Sequence, residues 1–505
     1  MKTINFTVLL LFNIHSLFAQ YNIVYPSNHS YRIAEGIFTD IIGEPNGDAY
    51  FGSVAWSLDP IDYYGFTEVT KVNKSGKLIW SKGVTDSIPW KSTHPHAMHR
   101  LRNGNFIING GIYSDSGWVK SEWYGVFDKE FNLLSSHAYP HDYYYNDVVQ
   151  FLEHSSGDLV FCGIRGIKSD RRNVGLSKAK ASVFCTDSLG NLKWDYEFWD
   201  TTLTNHFSYF NYLTEDHFGN IYVCGQNNNY NTIDMNGIIA KFDRQGNKLW
   251  YKEYNNPDIQ ERYMYCKEMQ DGNILLLGSS FTRSNRGSIL VNHISPDGDL
   301  LVHKTHTNRY ATFYWRCKET SDGGIVCGGA EDDDKDDRHN GWIQKLDETG
   351  EPLWEHSINA SKSEKAFYNL GLAEDGGFYF GGISFLPGIN ESRNWLVRTD
   401  SNGCVVPGCN PVGVTEKEYH KESFLISPNP AQDYIHVYIN DADHYEEEYE
   451  MTLYDSYSRI VTTQAISGRV TQIDIATLPS GIYYYRISKK NKLMQTGKLI
   501  KVVSN

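Results

Sequence analysis

At 505 residues and 57.8 kDa the chain has the length of about three ordinary domains or of one long repeat array, and a large core is within its reach. A net charge of −14 and a pI near 5.7 exclude a nucleic-acid binder, which needs a basic surface to neutralise phosphates. Aromatic residues make up 14% of the chain, with 35 Tyr and 12 Trp, and long helical periodicity is absent, so strands are expected throughout.

Met1-Lys2-Thr3 leads into Val8-Leu9-Leu10-Leu11-Phe12 and then Ser16-Leu17-Phe18-Ala19-Gln20. This basic start, short apolar stretch and small residue predict a secretory signal over residues 1–19, cut between Ala19 and Gln20. No Cys follows the cut, which disfavours a lipoprotein. No later apolar run reaches the roughly 18 residues of a membrane span, so a soluble exported protein is expected.

Over residues 20–409 one pattern recurs, most clearly from Asp322 to Trp354. It is a Gly-rich turn, an apolar rise closing on Gly328-Gly329, a loop, a second rise at Trp342 to Leu346, an Asp-to-Gly turn, and Leu353-Trp354. Apolar runs of strand length bounded by Gly and Asp read as antiparallel strands. The first glycine recurs at Gly47, Gly104, Gly157, Gly219, Gly272, Gly323 and Gly376, giving seven copies. A second anchor follows at Gly76, Gly190, Gly246, Gly298, Gly350 and Gly403, with Asp128-Lys129-Glu130-Phe131 as a degenerate version in the second copy. Upstream of each first anchor, Ile41, Met98, Phe151, Leu213, Cys266, Cys317 and Leu370 mark a buried inner-strand position. After the second anchor, Trp80, Trp194, Trp250 and Trp354 are expected to pack on their own blades. Lys241 with Asp243, Lys345 with Asp347 and Arg398 with Asp400 share a strand face and read as surface ion pairs.

Repeated four-stranded units of this length suit a propeller. The Asp-x-x-Gly-x-x-Leu-Trp ending, best seen from Asp347 to Trp354, resembles the outer hairpin of quinoprotein-type (PQQ-like) propeller repeats. The resemblance implies architecture only, since the adjacent Cys pair of quinoprotein dehydrogenases is missing, and no cofactor is expected. The seventh copy lacks an outer strand after Gly403, so Tyr21 to Val24 is predicted to complete it and close the ring.

Cys162, Cys224, Cys266, Cys317 and Cys327 occupy apolar repeat positions and read as buried free thiols. Cys404 and Cys409 flank a Pro-Gly turn outside the register, and a disulfide between them is expected. Residues 410–423 are polar and charged and read as a linker. From 424 to 505 short alternating strands separated by Pro, Gly and acidic turns predict a small Ig-like β-sandwich. The fold expected is therefore all-β, a seven-bladed β-propeller followed by that sandwich.

This tail resembles the C-terminal sorting domain of the type IX (Por) secretion system. The matching parts are Pro428-Asn429-Pro430-Ala431, the Leu478 to Tyr483 segment with Gly481 and Tyr483, and Gly497 to Lys501 with Lys498 and Lys501. Ser458 departs from the family, which has Gly there. The resemblance implies engagement of the type IX machinery, passage across the outer membrane of a Gram-negative bacterium, and release or surface attachment.

Within the propeller, His94-Pro95-His96-Ala97-Met98-His99 is the one dense His cluster, and strand alternation sets His96 and His99 on opposite faces, which favours packing over metal binding. The stretch from His96 to Asn105 faintly resembles the His-bearing inner strand of arylsulfotransferase propellers. The acidic loop Glu331 to Asp337 offers Asp332, Asp334 and Asp336 to calcium, but lacks the glycine and closing glutamate of an EF-hand and reads better as a solvated loop. Aromatic and His residues recur where the inner strands begin: His96, Tyr145, Tyr209, Tyr263, Tyr314, Trp315 and Tyr368. They suit stacking on a glycan or peptide ligand, with packing between blades as the plain alternative. No Ser/His/Asp array or phosphate loop stands out. A non-enzymatic secreted or cell-surface binding scaffold is the function expected; the alternative is a propeller enzyme acting on extracellular polymers or sulfated aromatics.

Overall fold

The computed structural model describes residues 21–24, 39–56, 65–84, 92–113, 119–140, 145–167, 178–198, 206–229, 234–254, 256, 259–282, 287–306, 312–333, 338–358, 365–385, 392–405, 424–439, 449–455, 459–468, 470–489 and 492–502. The signal segment, the linker, Cys409, Asp334 and Asp336 lie outside them. Two compact units result, Met1–Pro411 and Val412–Asn505.

The first unit is built of seven four-stranded antiparallel blades. Their inner strands are Ile42–Gly43, Ser92–Arg100, Tyr145–Glu153, His206–Glu215, Ile259–Glu268, Thr312–Glu319 and Lys365–Leu372, from blade 1 to blade 7. Tyr21–Val24 pairs antiparallel with Ser392–Thr399 and supplies the outer strand of blade 7, as the truncated last copy requires. A single bridge, Ala179 to Phe207, also joins blades 3 and 4.

The repeat glycines are turn residues. All seven first anchors and six second anchors have φ between 76° and 89°, a conformation that any Cβ disfavours. Phe131 takes that conformation at φ 57° where the other copies have Gly. Its ring is 1% exposed and stacks on Phe106 with centroids 4.3 Å apart, beside Tyr50 and Trp80, so burial outweighs the strained backbone.

In six blades the inner strand carries a register shift, leaving His96, Val149, Asn211, Met264, Trp315 and Tyr368 as extra residues. Just before each shift the strand pairs with a glycine, Gly110, Gly163, Gly225, Gly278, Gly329 or Gly382. At five of these a Cβ would lie 1.8–2.0 Å from an inner-strand carbonyl oxygen, so the bulge needs glycine. In blade 1 Ser53 stands at the corresponding place, and the inner strand is two residues long.

Two expectations are corrected. The outer-strand Trp does not pack on its own blade alone: Trp80 and Trp250 lie 6.0 Å from Tyr50 and Tyr222 of their own blades, but Trp194 stacks on Phe242 of the next blade at 5.5 Å, Trp250 Nε1 donates to Pro296 O at 3.2 Å, and a Cβ on Gly246 or Gly403 would strike Trp194 or Trp354. The second-turn glycines therefore clear room for a neighbour's indole. The basic residues also do not pair along their strand. Lys345 meets Asp322 at 2.7 Å, Arg398 meets Asp375 at 2.5 Å and Lys71 meets Asp48 at 3.3 Å, each on the first hairpin of its own blade. Asp347 and Asp400 instead accept the backbone N–H groups of their own turns. Lys345 and Arg398 are 4% and 2% exposed, whereas the Asp322 and Asp375 side chains remain 66% and 26% exposed, so buried cations reach out to acids at the surface.

Cys162, Cys185, Cys224, Cys266, Cys317 and Cys327 are buried free thiols. Cys404 is buried as well, and its expected partner, Cys409, lies outside the described residues.

The second unit packs a three-stranded sheet, Phe424–Ser427, Tyr434–Ile439 and Val470–Asp474, on a four-stranded sheet ordered Ile460–Ile466, Tyr449–Tyr454, Gly481–Lys489 and Lys492–Lys501. Its separate core includes Ile435, Val437, Met451, Leu453, Ile473, Ile487 and Leu499.

Candidate functional site

In six blades the register places one residue directly after the bulge, Ala97, Gln150, Tyr212, Tyr265, Arg316 and Asn369, and in blade 1 Asp40 holds the equivalent place by its spacing before Ile41. Contacts among blades that are not neighbours show that these residues meet on the axis. Arg316 of blade 6 donates through Nε to Asn369 Oδ1 of blade 7 at 3.2 Å, and Nη2 reaches His96 O and Val149 O of blades 2 and 3 at 3.5 Å. Tyr212 and Tyr265 are 4.8 Å apart. Arg316 is 8% exposed, and Asp40, Gln150 and Asn369 are 3% exposed or less, so the axis is closed at this level.

One step further along the inner strands, His99 Nε2 lies 2.7 Å from Gln150 Oε1 and 3.1 Å from Asp40 Oδ2, with Lys318 Nζ 3.6 Å from the same carboxylate. Two oxygens facing one ring nitrogen require Nε2 to carry the proton. Burial pushes the Asp40 carboxyl up, but Lys318, His99, Arg316 and Gln150 together hold it below the usual carboxylate range. Burial pushes the His99 imidazole down, against the pull of Asp40.

At the end of the axis where the inner strands begin, the bulge residues His96, Val149, Trp315 and Tyr368 are half-buried and form a platform over this plug. Trp315 and Tyr368 lie 5.4 Å apart, and the Arg262 guanidinium lies 5.2 Å from the rings of both Trp315 and Phe281. Burial lowers the Arg262 pKa, against a hydrogen bond with Tyr209. His96 Nε2 contacts Asp147 Oδ2 at 2.5 Å, and His94 lies beside His96 at 5.0 Å. Burial, with His96 next to it, pushes the His94 pKa down to about 4, so it is a neutral imidazole near pH 7.

Of the seven aromatic or His residues expected at this rim, Tyr145 has its side chain outside the described ones, while His96, Tyr209, Trp315 and Tyr368 stand at one end of the axis. Tyr263 and Tyr314 do not. They sit one residue before the bulge, are 0% exposed, and their hydroxyls bond Asn292 and Gln344 inside the blades. Arg262, Arg316, Asp40, Gln150 and Asn369 escaped the sequence reading. For all but Arg262 the signal was present, because four of the seven residues that precede the aligned apolar position are charged or amide side chains, Asp40, Gln150, Arg316 and Asn369, and two more are Tyr212 and Tyr265. Glu261 was also missed. It is 2% exposed, its Oε1 lies 3.7 Å from His303 Nε2, and burial raises its pKa to about 7.

The His cluster makes no metal centre: His96 turns to Asp147 and His99 to Gln150 and Asp40. Among the described residues no three His, Cys, Asp or Glu side chains converge as metal ligands. Asp332 lies in the strand Ile325–Asp333, paired with His339. At the opposite rim, a shallow depression of about 450 Å3 is lined by Glu215, His217, Arg244 and Glu268. Its glutamates serve architecture: Glu215 and Glu268 accept the backbone N–H of Ser155 and His217 on preceding blades, as Glu153 accepts that of Arg102.

In the sandwich, the two ends of the tail motif touch. Asn429 Nδ2 donates to Lys498 O at 2.8 Å, and its Oδ1 accepts from Ile500 N at 2.9 Å, so one side chain stands in for a strand rung. Ala431 continues the pairing with Ile500 and Val502, and Lys501 Nζ lies 3.7 Å from Asp433. Tyr483 donates to Pro479 O at 2.8 Å, tying the Leu478 to Tyr483 segment to itself.

Residues 425–502 match the secretion system C-terminal sorting domain, the Por secretion tail. No curated protein matches the chain. Among solved structures, the polysaccharide lyase Uly1 is similar at 12% identity and TM-score 0.43, over 75% of this chain and 92% of that one. The β-propeller domain of the trilobed protease from Pyrococcus furiosus is similar at 12% identity and TM-score 0.39, over 74% and 98%. The α-L-arabinanase of Penicillium chrysogenum is similar at 11% identity and TM-score 0.39, over 76% and 98%. Likenesses at this level say nothing about activity.

Proposed function

We propose that the chain is a propeller cargo of the type IX secretion system, carried to the cell surface or the medium by its tail, and that the propeller is a non-enzymatic binding module for an extracellular glycan or protein ligand. The observation that carries the binding reading is the half-ring of His96, Trp315 and Tyr368, with Arg262 and Tyr209, kept half-exposed over an axis that Arg316 closes. A sealed axis offers a floor rather than a passage, and flat rings above a floor suit stacking on a sugar or peptide. A glycan array with the full chain tests this: retention that Trp315→Ala and Tyr368→Ala each abolish supports it, and retention that survives both refutes it. The export half is tested separately. A chain ending at Cys409 should fold and stay in the periplasm, and its arrival in the medium would refute the tail's role.

A second reading, an enzyme acting on extracellular polymers or sulfated aromatics, is favoured by the close His96–Asp147 pair beside the neutral His94. A carboxylate that orients an imidazole is the arrangement of a general base or a nucleophilic His. Turnover of an aryl sulfate or a polysaccharide by the full chain, lost in His96→Ala, would replace the binding reading.

A further inference from the structure

The chemistry of the plug narrows the ligand class, and this step rests on the binding reading above. The chain as a whole carries −14, yet the axis gathers two cations, Arg316 and Lys318, around one carboxylate, Asp40. Lys318 already faces Asp40 at 3.6 Å from the far side of the plug. Arg316 spends its hydrogen bonds on three neutral oxygens, Asn369 Oδ1, His96 O and Val149 O. Two of those are backbone carbonyls of blades 2 and 3, so the guanidinium lies across the axis beneath the platform. A second guanidinium, Arg262, is fixed against the face of Trp315 at 5.2 Å. Asp147, the carboxylate beside His96, is engaged by that ring at 2.5 Å.

A guanidinium in a site this dry is poorly solvated, and its planar fork matches a carboxylate or a sulfate. We infer that the platform binds an acidic saccharide, one bearing a carboxylate or sulfate group, with that group over Arg316 and Arg262 and the ring of a neighbouring sugar against Trp315 or Tyr368. Uronates and sulfated sugars share this chemistry, so both belong in the test.

The full chain is applied to an array holding neutral, uronate and sulfated oligosaccharides, and the best acidic probe is then titrated by calorimetry at low and high salt. Retention of acidic probes alone is expected, with affinity falling as salt rises. Arg316→Gln should weaken binding about 10- to 100-fold, the worth of a charge-assisted hydrogen bond. Arg316 also holds the axis together, so intrinsic Trp fluorescence must first show that this variant folds; where it does not, Arg262→Gln and the salt dependence of the unmodified chain decide. Neutral probes held as tightly as acidic ones would overturn the acidic ligand and leave the binding module standing. Retention of no oligosaccharide would overturn the acidic saccharide and, with it, the glycan arm of the binding reading.

Discussion

Phe131 offers a sharp test of how the ring is held together. It occupies a left-handed turn position at φ 57°, where an L residue is worth about 1–2 kcal/mol less than glycine. In exchange it buries its whole ring between blades 1 and 2, stacked on Phe106 and edged by Tyr50 and Trp80. Phe131→Ala keeps the strained turn and loses the ring, and should cost about 3–5 kcal/mol. Phe131→Gly loses the same ring but relaxes the turn, so it should be about 1 kcal/mol less harmful than Phe131→Ala while remaining well below the natural chain. Urea unfolding followed by Trp fluorescence reads the propeller alone, because all 12 Trp precede residue 411. Phe131→Gly at or above natural stability would refute the reasoning, since packing would then not outweigh the backbone.

Gly278→Ala places a Cβ 1.8 Å from Arg262 O and should cost about 3 kcal/mol or more by the same assay; a change under about 1 kcal/mol would show that the bulge does not need glycine. Glu261→Gln tests a pH linkage. The carboxyl titrates near 7 when folded against 4.5 as a free group, so the folded chain binds the extra proton and loses stability as pH rises from about 4.5 to 7. The variant should therefore gain about 2–3 kcal/mol over the natural chain at pH 8 and nothing at pH 4.5. A gain that does not grow with pH would remove burial as the cause. Asn429→Ala deletes two hydrogen bonds and should speed amide exchange at Ile500 while leaving the Trp-monitored transition in place. Non-reducing peptide mapping should recover Cys404 joined to Cys409, and a free Cys409 thiol would refute that pairing.

The repeat count was legible because it rests on glycines whose φ no other residue adopts cheaply, and a backbone need of that kind leaves a fixed mark at fixed spacing. Trp194 and Trp250 showed where an indole recurs but not which blade receives it, since spacing along one chain carries no direction across an interface. The same limit misassigned Lys345 and Arg398, because Asp347 and Asp400 are spent on their own turns and the true acids stand on the other hairpin. Tyr263, Tyr314, Trp315 and Arg316 fall within two short runs of one strand type. Only the bulge, which shifts the side-chain alternation by one, separates the residues that fill a blade from those that face the axis. That shift is set by a glycine on the partner strand, so neither strand reveals it alone.

Closure of blade 7 by Tyr21–Val24 also fixes an order of events. The partner strand, Ser392–Thr399, emerges some 370 residues later, so the final contact spans nearly the whole propeller and is among the slowest to form by loop-closure entropy. Until then every partly made ring has an open strand edge, which is the surface through which β-proteins aggregate. Appending residues before Tyr21, or trimming back past Val24, should therefore slow assembly and promote clumping more than an equal change in a loop between blades.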